Sequence, residues 1–178
     1  MRTDKIYVEY LLLEAQKGND DALGLLLQVL QQKMSHFAQR IMNGAADSED
    51  CVQEAMLVVL KKYKQVKEVK AFHAWIYQVI NSRCHDYWRT LHHNDCLDDL
   101  VSRSQEPCDP QNGVDDPLFD IKQAMTQLSN QQQAVLYLFY FEGFKVSEMA
   151  GILKKPAGTI KSILFDARQL IKTTLNLE

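Results

Sequence analysis

The stretch Val146–Phe165, "VSEMAGILKKPAGTIKSILF", decides how the chain is read. Two apolar patterns with helical spacing flank a short break, Lys154-Lys155-Pro156-Ala157-Gly158. Proline and glycine there end one helix and open the next, with Thr159 near the new N-terminus. Ala150 leaves room for close approach of the second helix. On that helix Ile160, Leu164, Ala167 and Ile171 share one face, while Lys161, Ser162, Phe165, Arg168 and Gln169 point away from it. A tight corner presenting hydroxyls, cations and a bare phenyl is the layout of a helix-turn-helix, whose second helix can lie in a major groove. Cations and hydroxyls reach phosphates and base edges, and a phenyl can touch a thymine methyl. Periodicity alone leaves open a plain helical hairpin with a solvated face, although such a face has little use for Phe165.

Working outward, the residues on either side also read as helix. Ser129 with Gln132 forms a capping box for "NQQQAVLYLFYFE", which Gly143 stops. A preceding helix is expected over roughly 118–128. Towards the N-terminus, Leu26, Leu27, Leu30, Met34, Phe37 and Ile41 recur at three- and four-residue steps, and Gly44 ends that helix. Asp47 is placed to cap the next, whose apolar face is Val52, Ala55, Met56, Val59 and Tyr63. A lysine-rich stretch leads into a further helix carrying Phe72, Trp75, Ile76, Val79, Ile80 and Tyr87, with Trp75 assigned to the core. The expectation is an all-α protein of two small helical domains.

Charge separates those domains. Residues 1–93 carry a net charge of +1, residues 94–119 a net of −6, and residues 120–178 a net of +2, within a whole-chain net of −3. The middle segment holds three of the four prolines and no sustained periodicity, so it reads as an acidic flexible linker. Local patches rather than the net charge decide nucleic-acid binding. No apolar run approaches the ~20 residues needed to span a bilayer. The N-terminal "MRTDKIYVEYLLLEAQ" is a poor signal peptide, so a cytoplasmic protein without membrane insertion is expected.

Two further constellations stand out. In "DSEDCVQEAMLVVLKKY", Asp50, Gln53, Glu54 and Leu57 lie opposite the apolar face, and a leucine among acids suggests a partner surface. A solvated acidic face with one stray leucine fits the pattern equally well. From Lys61 to Leu91 the chain is basic and aromatic, with a net of +5. His73, Tyr77, Asn81, His85 and Trp88 lie off its main apolar arc. Cations interleaved with rings and an amide suit single-stranded DNA, whose bases stack and whose phosphates need neutralising. Arg83 and Asp86 fall inside the arc and are read as an internal ion pair. The four cysteines include no CxxC, and "HHNDC" (His92 to Cys96) lacks an obvious fourth ligand, so reduced structural thiols and no metal or other cofactor are expected. No nucleotide-binding, metalloprotease or nucleophile-elbow motif points to an enzyme.

Taken in order, "DSEDCVQEAMLVVL", "FHAWIYQVINSRCHDYWR" and "LSNQQQAVLYLFYFEGFKVSEMAGILKKPAGTIKSILFDARQLI" resemble the extracytoplasmic-function group of sigma-70 family transcription initiation factors. The resemblance implies that residues 1–93 are sigma domain 2, residues 94–119 the acidic linker and residues 120–178 sigma domain 4. It implies core RNA polymerase and promoter DNA as partners, with an anti-sigma factor common in the family. Asp50, Gln53, Glu54 and Leu57 would then dock on the polymerase clamp. Lys64, Lys67, Lys70, His73, Tyr77, Asn81, His85 and Arg89 would read and open the −10 element, capturing a flipped base. Lys155, Thr159, Lys161, Ser162, Phe165 and Arg168 would bind the −35 duplex. The linker's negative charge would let it mimic nucleic acid near the RNA exit path. Lys154 stands where the family usually has glycine, and Ile163 and Asp166 occupy positions that are often basic. A stand-alone helix-turn-helix regulator is the competing expectation, and an interaction protein serving mainly an anti-sigma partner, with Phe165 and Ile163 turned outward, is a third.

Overall fold

A computed structural model describes residues 2–42, 46–94 and 127–175, and side chains within these from residue 5 to 90 and from 127 to 175. The expected helix over 118–128 and the Gly44 stop lie largely or wholly outside them. The described residues form an N-terminal unit of α1 (Arg2–Gln16), α2 (Asp20–Ile41), α3 (Ser48–Lys62) and α4 (Val69–Asn94). A C-terminal unit follows, of α5 (Asn130–Leu136), α6 (Val146–Leu153) and α7 (Ala157–Thr174). No strand occurs among them, in keeping with the all-α expectation.

The apolar spacing does what its period requires. Leu26, Leu30, Met34, Phe37 and Ile41 of α2 are buried, and Val52, Ala55 and Val59 of α3 close against them. From α4, Phe72, Ile76, Ile80 and Cys84 complete the core. Helix α1, which the sequence reading did not single out, adds Val8, Leu11, Leu12 and Ala15. It ends at Gly18, whose φ of +96° is left-handed and suits glycine. Asn19 then caps α2 by accepting the Ala22 N–H at 3.0 Å.

Two local expectations fail for identifiable reasons. Asp47 precedes α3 but makes no capping bond. Its carboxylate instead accepts the Tyr87 hydroxyl, tying the start of α3 to the far end of α4. Arg83 and Asp86 do not pair either. Arg83 reaches across to Glu54 at 3.9 Å, and Asp86 accepts from Arg89 at 2.9 Å, because three residues along a helix both directions are open to a long side chain.

In the C-terminal unit the Ser129–Gln132 capping box forms as read. Helix α5 runs into a π-helical turn, Tyr137–Phe141, and Gly143 at φ +67° breaks it. The Lys145 N–H is capped by Glu148 at 2.7 Å where α6 begins. The turn that lacks the family's glycine is built by Lys154 itself, which sits in the left-handed region at φ 52°. Ile152, Ile160, Leu164 and Ala167 fix the α6–α7 corner, and Ile163 is half-buried against them rather than turned outward.

The two units are packed together, α2 against α5 and α4 against α6. Phe37 meets Tyr77 edge-on at 5.4 Å and Tyr137 at 5.6 Å. Phe144 meets Tyr77 edge-on at 5.5 Å, so one aromatic cluster crosses the boundary.

Candidate polymerase- and DNA-binding surfaces

On α3, Asp50, Gln53 and Glu54 are exposed, and Leu57 is 55% exposed in the middle of them. Leu60, one turn further, is also exposed and extends the apolar part of the stripe. Its place at i+3 from Leu57 was the available signal. The Glu54–Arg83 contact is long and open to solvent, so it leaves the carboxylate available to a partner.

Helix α4 presents two unlike faces. Between α3 and α4 a single 3₁₀ turn, Tyr63–Gln65, leads the chain around a corner. Gln16 holds that corner from below by donating its Nε2 to the carbonyls of Tyr63 at 2.8 Å and Val66 at 2.9 Å. Lys64, Lys67 and Lys70 stand exposed on it. Beside them lies a shallow pocket lined by Lys62, Val66, Ala71, Phe72 and Trp75 among others. Trp75 stacks on Phe72 at 5.7 Å with the planes 27° apart; it is partly buried against the core, as expected, and its open side lines the pocket. At ~100° per residue, Arg89 and His85 fall within a quarter-turn of Trp75, with Asn81 a little beyond. His85 and Arg89 are exposed and Asn81 is half-buried.

His73 and Tyr77 face the opposite way. They are 3% and 0% exposed, buried beneath the C-terminal unit, and this removes them from the DNA-facing set in the arrangement observed. His73 Nε2 lies 3.1 Å from Glu142 Oε2, and its ring is 5.2 Å from Phe144. Lys33 reaches the same carboxylate oxygen at 3.4 Å. Burial alone would raise the Glu142 carboxyl. The hydrogen bond from His73, the Lys33 charge and the nearby Tyr77 hydroxyl outweigh it and hold the group down at about 2. The same burial, with Glu142 close by, pushes Tyr77 far up and Tyr137 up to about 12, so both phenols stay neutral.

On the corner, Thr159, Lys161, Ser162, Phe165 and Arg168 are all exposed and Lys155 is half-buried. Phe165 is 60% exposed, with no apolar cover. Arg168 is held in place: its Nε donates to the Tyr140 hydroxyl at 2.9 Å, and its guanidinium lies 5.3 Å from the Phe139 ring and 5.5 Å from that of Tyr140. That arrangement aims the remaining N–H groups outward. Tyr140 was missed in sequence because it lies 28 residues away.

Cys51 of α3 and Cys84 of α4 are buried, free and close together. Burial pushes both thiols up, Cys84 strongly, which keeps them protonated and unreactive. Among the described residues no group of histidines, cysteines or carboxylates could hold a metal. Cys96 and Cys108 lie outside those residues.

Comparison with known proteins follows the same division. Residues 26–93 match sigma-70 region 2, and residues 118–171 match sigma-70 region 4, together more than half of the chain. The chain belongs to the sigma-70 family. Within it this sigma factor falls in the extracytoplasmic-function group. It is 23% identical to the RNA polymerase sigma-H factor of Pseudomonas aeruginosa, over 94% of this chain and 93% of that protein. It is 25% identical to the ECF RNA polymerase sigma-E factor of Escherichia coli, over 95% of this chain and 92% of that one. The fold matches the sigma factor RpoE of Bartonella quintana, solved with the anti-sigma factor NepR. There the TM-score is 0.72 at 22% identity, covering 88% of this chain and 98% of that chain. It also matches CnrH, solved with the cytosolic domain of CnrY, with a TM-score of 0.64 at 16% identity and coverage of 97% and 99%. Matches to both regions on one chain overturn the stand-alone regulator reading, which accounts for the corner alone.

Proposed function

We infer that this sigma factor joins core RNA polymerase and directs it to promoters by recognising −10 and −35 elements. The observation that carries the reading is the pairing of region 2 and region 4 on one chain, each with a solvent-facing basic and aromatic surface. The domain division proposed is 1–93, 94–119 and 120–178, with the acidic segment as tether. Asp50, Gln53, Glu54 and Leu57, extended by Leu60, form the polymerase-docking stripe. An acidic rim around exposed leucines suits a partner with basic and apolar side chains.

The −10 strand would run along the outward face of α4. Lys64, Lys67 and Lys70 neutralise phosphates, Arg89 and His85 continue the track, and the Val66–Phe72–Trp75 pocket accepts an unstacked base. Asn81 borders this face. The −35 duplex would meet Thr159, Lys161, Ser162, Phe165 and the pre-positioned Arg168, with Lys155 at the turn. Exposed Asp166 sits among these cations and weakens the phosphate attraction locally. The protein contributes binding and strand separation, and no catalytic group is assigned. No helix of the described residues is long and apolar enough to cross a membrane. A cytoplasmic location beside the polymerase is proposed. An anti-sigma factor is a proposed partner too, on the precedent of the two relatives solved with such proteins.

Run-off transcription with core polymerase on genomic fragments tests this. Specific transcripts that need both proteins are expected. Absence of any specific start, together with failure to bind the core, would overturn the reading.

A further inference from the structure

Arg168 is the one cation of the corner that is held from outside it. Its Nε donates to the Tyr140 hydroxyl at 2.9 Å, and its guanidinium lies over the rings of Phe139 and Tyr140. Those two residues are neighbours in the π-helical turn and meet edge to face at 5.1 Å. Both Tyr140 and Arg168 are nevertheless exposed. Among the described residues no carboxylate pairs with Arg168. Asp166 is close in sequence, but residues two apart on a helix do not face each other. A neutral hydroxyl and two rings thus fix the guanidinium without cancelling its charge.

What such a pair can bind follows from its hydrogens. Arg168 spends its Nε–H on Tyr140 and keeps the N–H groups of both Nη atoms. Tyr140 accepts that bond, so its own O–H remains free to donate. The pair therefore offers donors and a positive charge, the complement of a phosphate group. Position along α7 points the same way. In a helix-turn-helix the base edges are read by residues near the start of the second helix. Arg168 lies about 16 Å along the axis from Ala157, where α7 begins. The major groove is about 12 Å wide, so at that distance the helix has crossed it and meets a backbone strand.

We propose that Tyr140 and Arg168 form a single phosphate clamp on the −35 backbone. Arg168 supplies the charge. Tyr140 orients it and donates its own hydroxyl to the same phosphate, which adds to the −35 surface a residue from outside the helix-turn-helix. The clamp rests on the promoter reading above and divides its labour: Arg168 and Tyr140 anchor the duplex, and Thr159, Lys161 and Ser162 face its bases. A contact that only stapled the π-helical turn to α7 would affect stability and leave the salt dependence of DNA binding as it was.

The test uses holoenzyme assembled from core polymerase and the full chain. Its probe is a promoter fragment recovered by run-off transcription, with or without the −35 element, titrated at several salt concentrations. Arg168→Ala should weaken −35-dependent binding roughly tenfold and flatten the log–log salt slope by about 0.9, the loss of one phosphate contact. Tyr140→Phe keeps the ring and removes the hydroxyl, so the fold is retained. It should cost roughly fivefold and flatten the slope in the same direction. Both losses should be the same on −35 elements with altered base pairs, since a phosphate carries no sequence. In the Arg168→Ala background, Tyr140→Phe should cost less than about twofold, because the two act as a unit. Wild-type binding by Tyr140→Phe, an unchanged slope, fully additive losses, or an Arg168→Ala loss that varies with base sequence would each overturn the clamp alone. Wild-type holoenzyme indifferent to the −35 element would overturn the promoter reading, and the clamp with it.

Discussion

The two faces of α4 differ more than the two units do. One carries His85 and Arg89 into solvent and the partly buried Trp75 along a pocket, beside three lysines. The other carries His73 and Tyr77 against Glu142 and Phe144. Both faces hold rings and titratable groups, so composition does not separate them. What separates them is whether an apolar or acidic group elsewhere in the chain arrives to cover them. A helix that serves as a wall between two units buries an arc wider than its own domain needs. The residues on the extra arc then resemble binding residues until the second unit is in place.

The largest expected effect lies on the covered face. Tyr77→Ala removes the ring on which Phe37, His73 and Phe144 all converge, and should lower stability by about 3–5 kcal/mol in chemical denaturation. A loss below about 1 kcal/mol would mean that the contact between the units is not formed in solution. Next is the open face. Trp75→Ala should weaken binding of a −10 non-template oligonucleotide to the holoenzyme by about 1–3 kcal/mol, with little effect on core binding. His73→Gln should leave that affinity unchanged, and the reverse ranking would exchange the roles of the two faces.

Acid should act on the covered face through Glu142. The Glu142 carboxyl is held at about 2, below its ordinary value of 4.5, so the unfolded chain binds the proton more readily. Its stabilisation is therefore complete above pH 4.5 and is lost as pH falls towards 2. Denaturation midpoints measured across that window should drop less steeply in Glu142→Gln than in wild type. The smallest effect belongs to the corner. Lys154→Gly relieves a left-handed residue and gains about 0.5–1 kcal/mol after the extra freedom of the unfolded chain is counted. A loss of stability would mean that the Lys154 side chain makes a contact worth more than its backbone strain.

The same comparison explains what was legible in sequence. Helical period placed α2, α3, α4 and the α6–α7 corner, because each buries a stripe within its own unit. The Ser129 capping box was legible because both of its bonds are local. Asp47 was not, since Tyr87, 40 residues on, competes for the carboxylate that a cap would use. Arg83 looked paired with Asp86 because spacing constrains distance but not direction, and Glu54 lies across the gap between helices. Trp75 was legible as a residue packed on the core, but its open side along the pocket was not, since the pocket needs the turn between α3 and α4 to form it. The cover over His73 and Tyr77 could not be read at all. Glu142 is 69 residues from His73, and nothing local in "YFEGF" marks the carboxylate as buried.

Promoter opening tests the central claim most directly: that this chain equips core polymerase to open a promoter through the outward face of α4. Permanganate footprinting of unpaired −10 thymines can follow opening with holoenzyme assembled from wild type, Trp75→Ala or His73→Gln. Strong reactivity with wild type and His73→Gln, and its loss with Trp75→Ala, is the predicted result. No reactivity with wild type, or reactivity that survives Trp75→Ala and disappears with His73→Gln, would contradict the account.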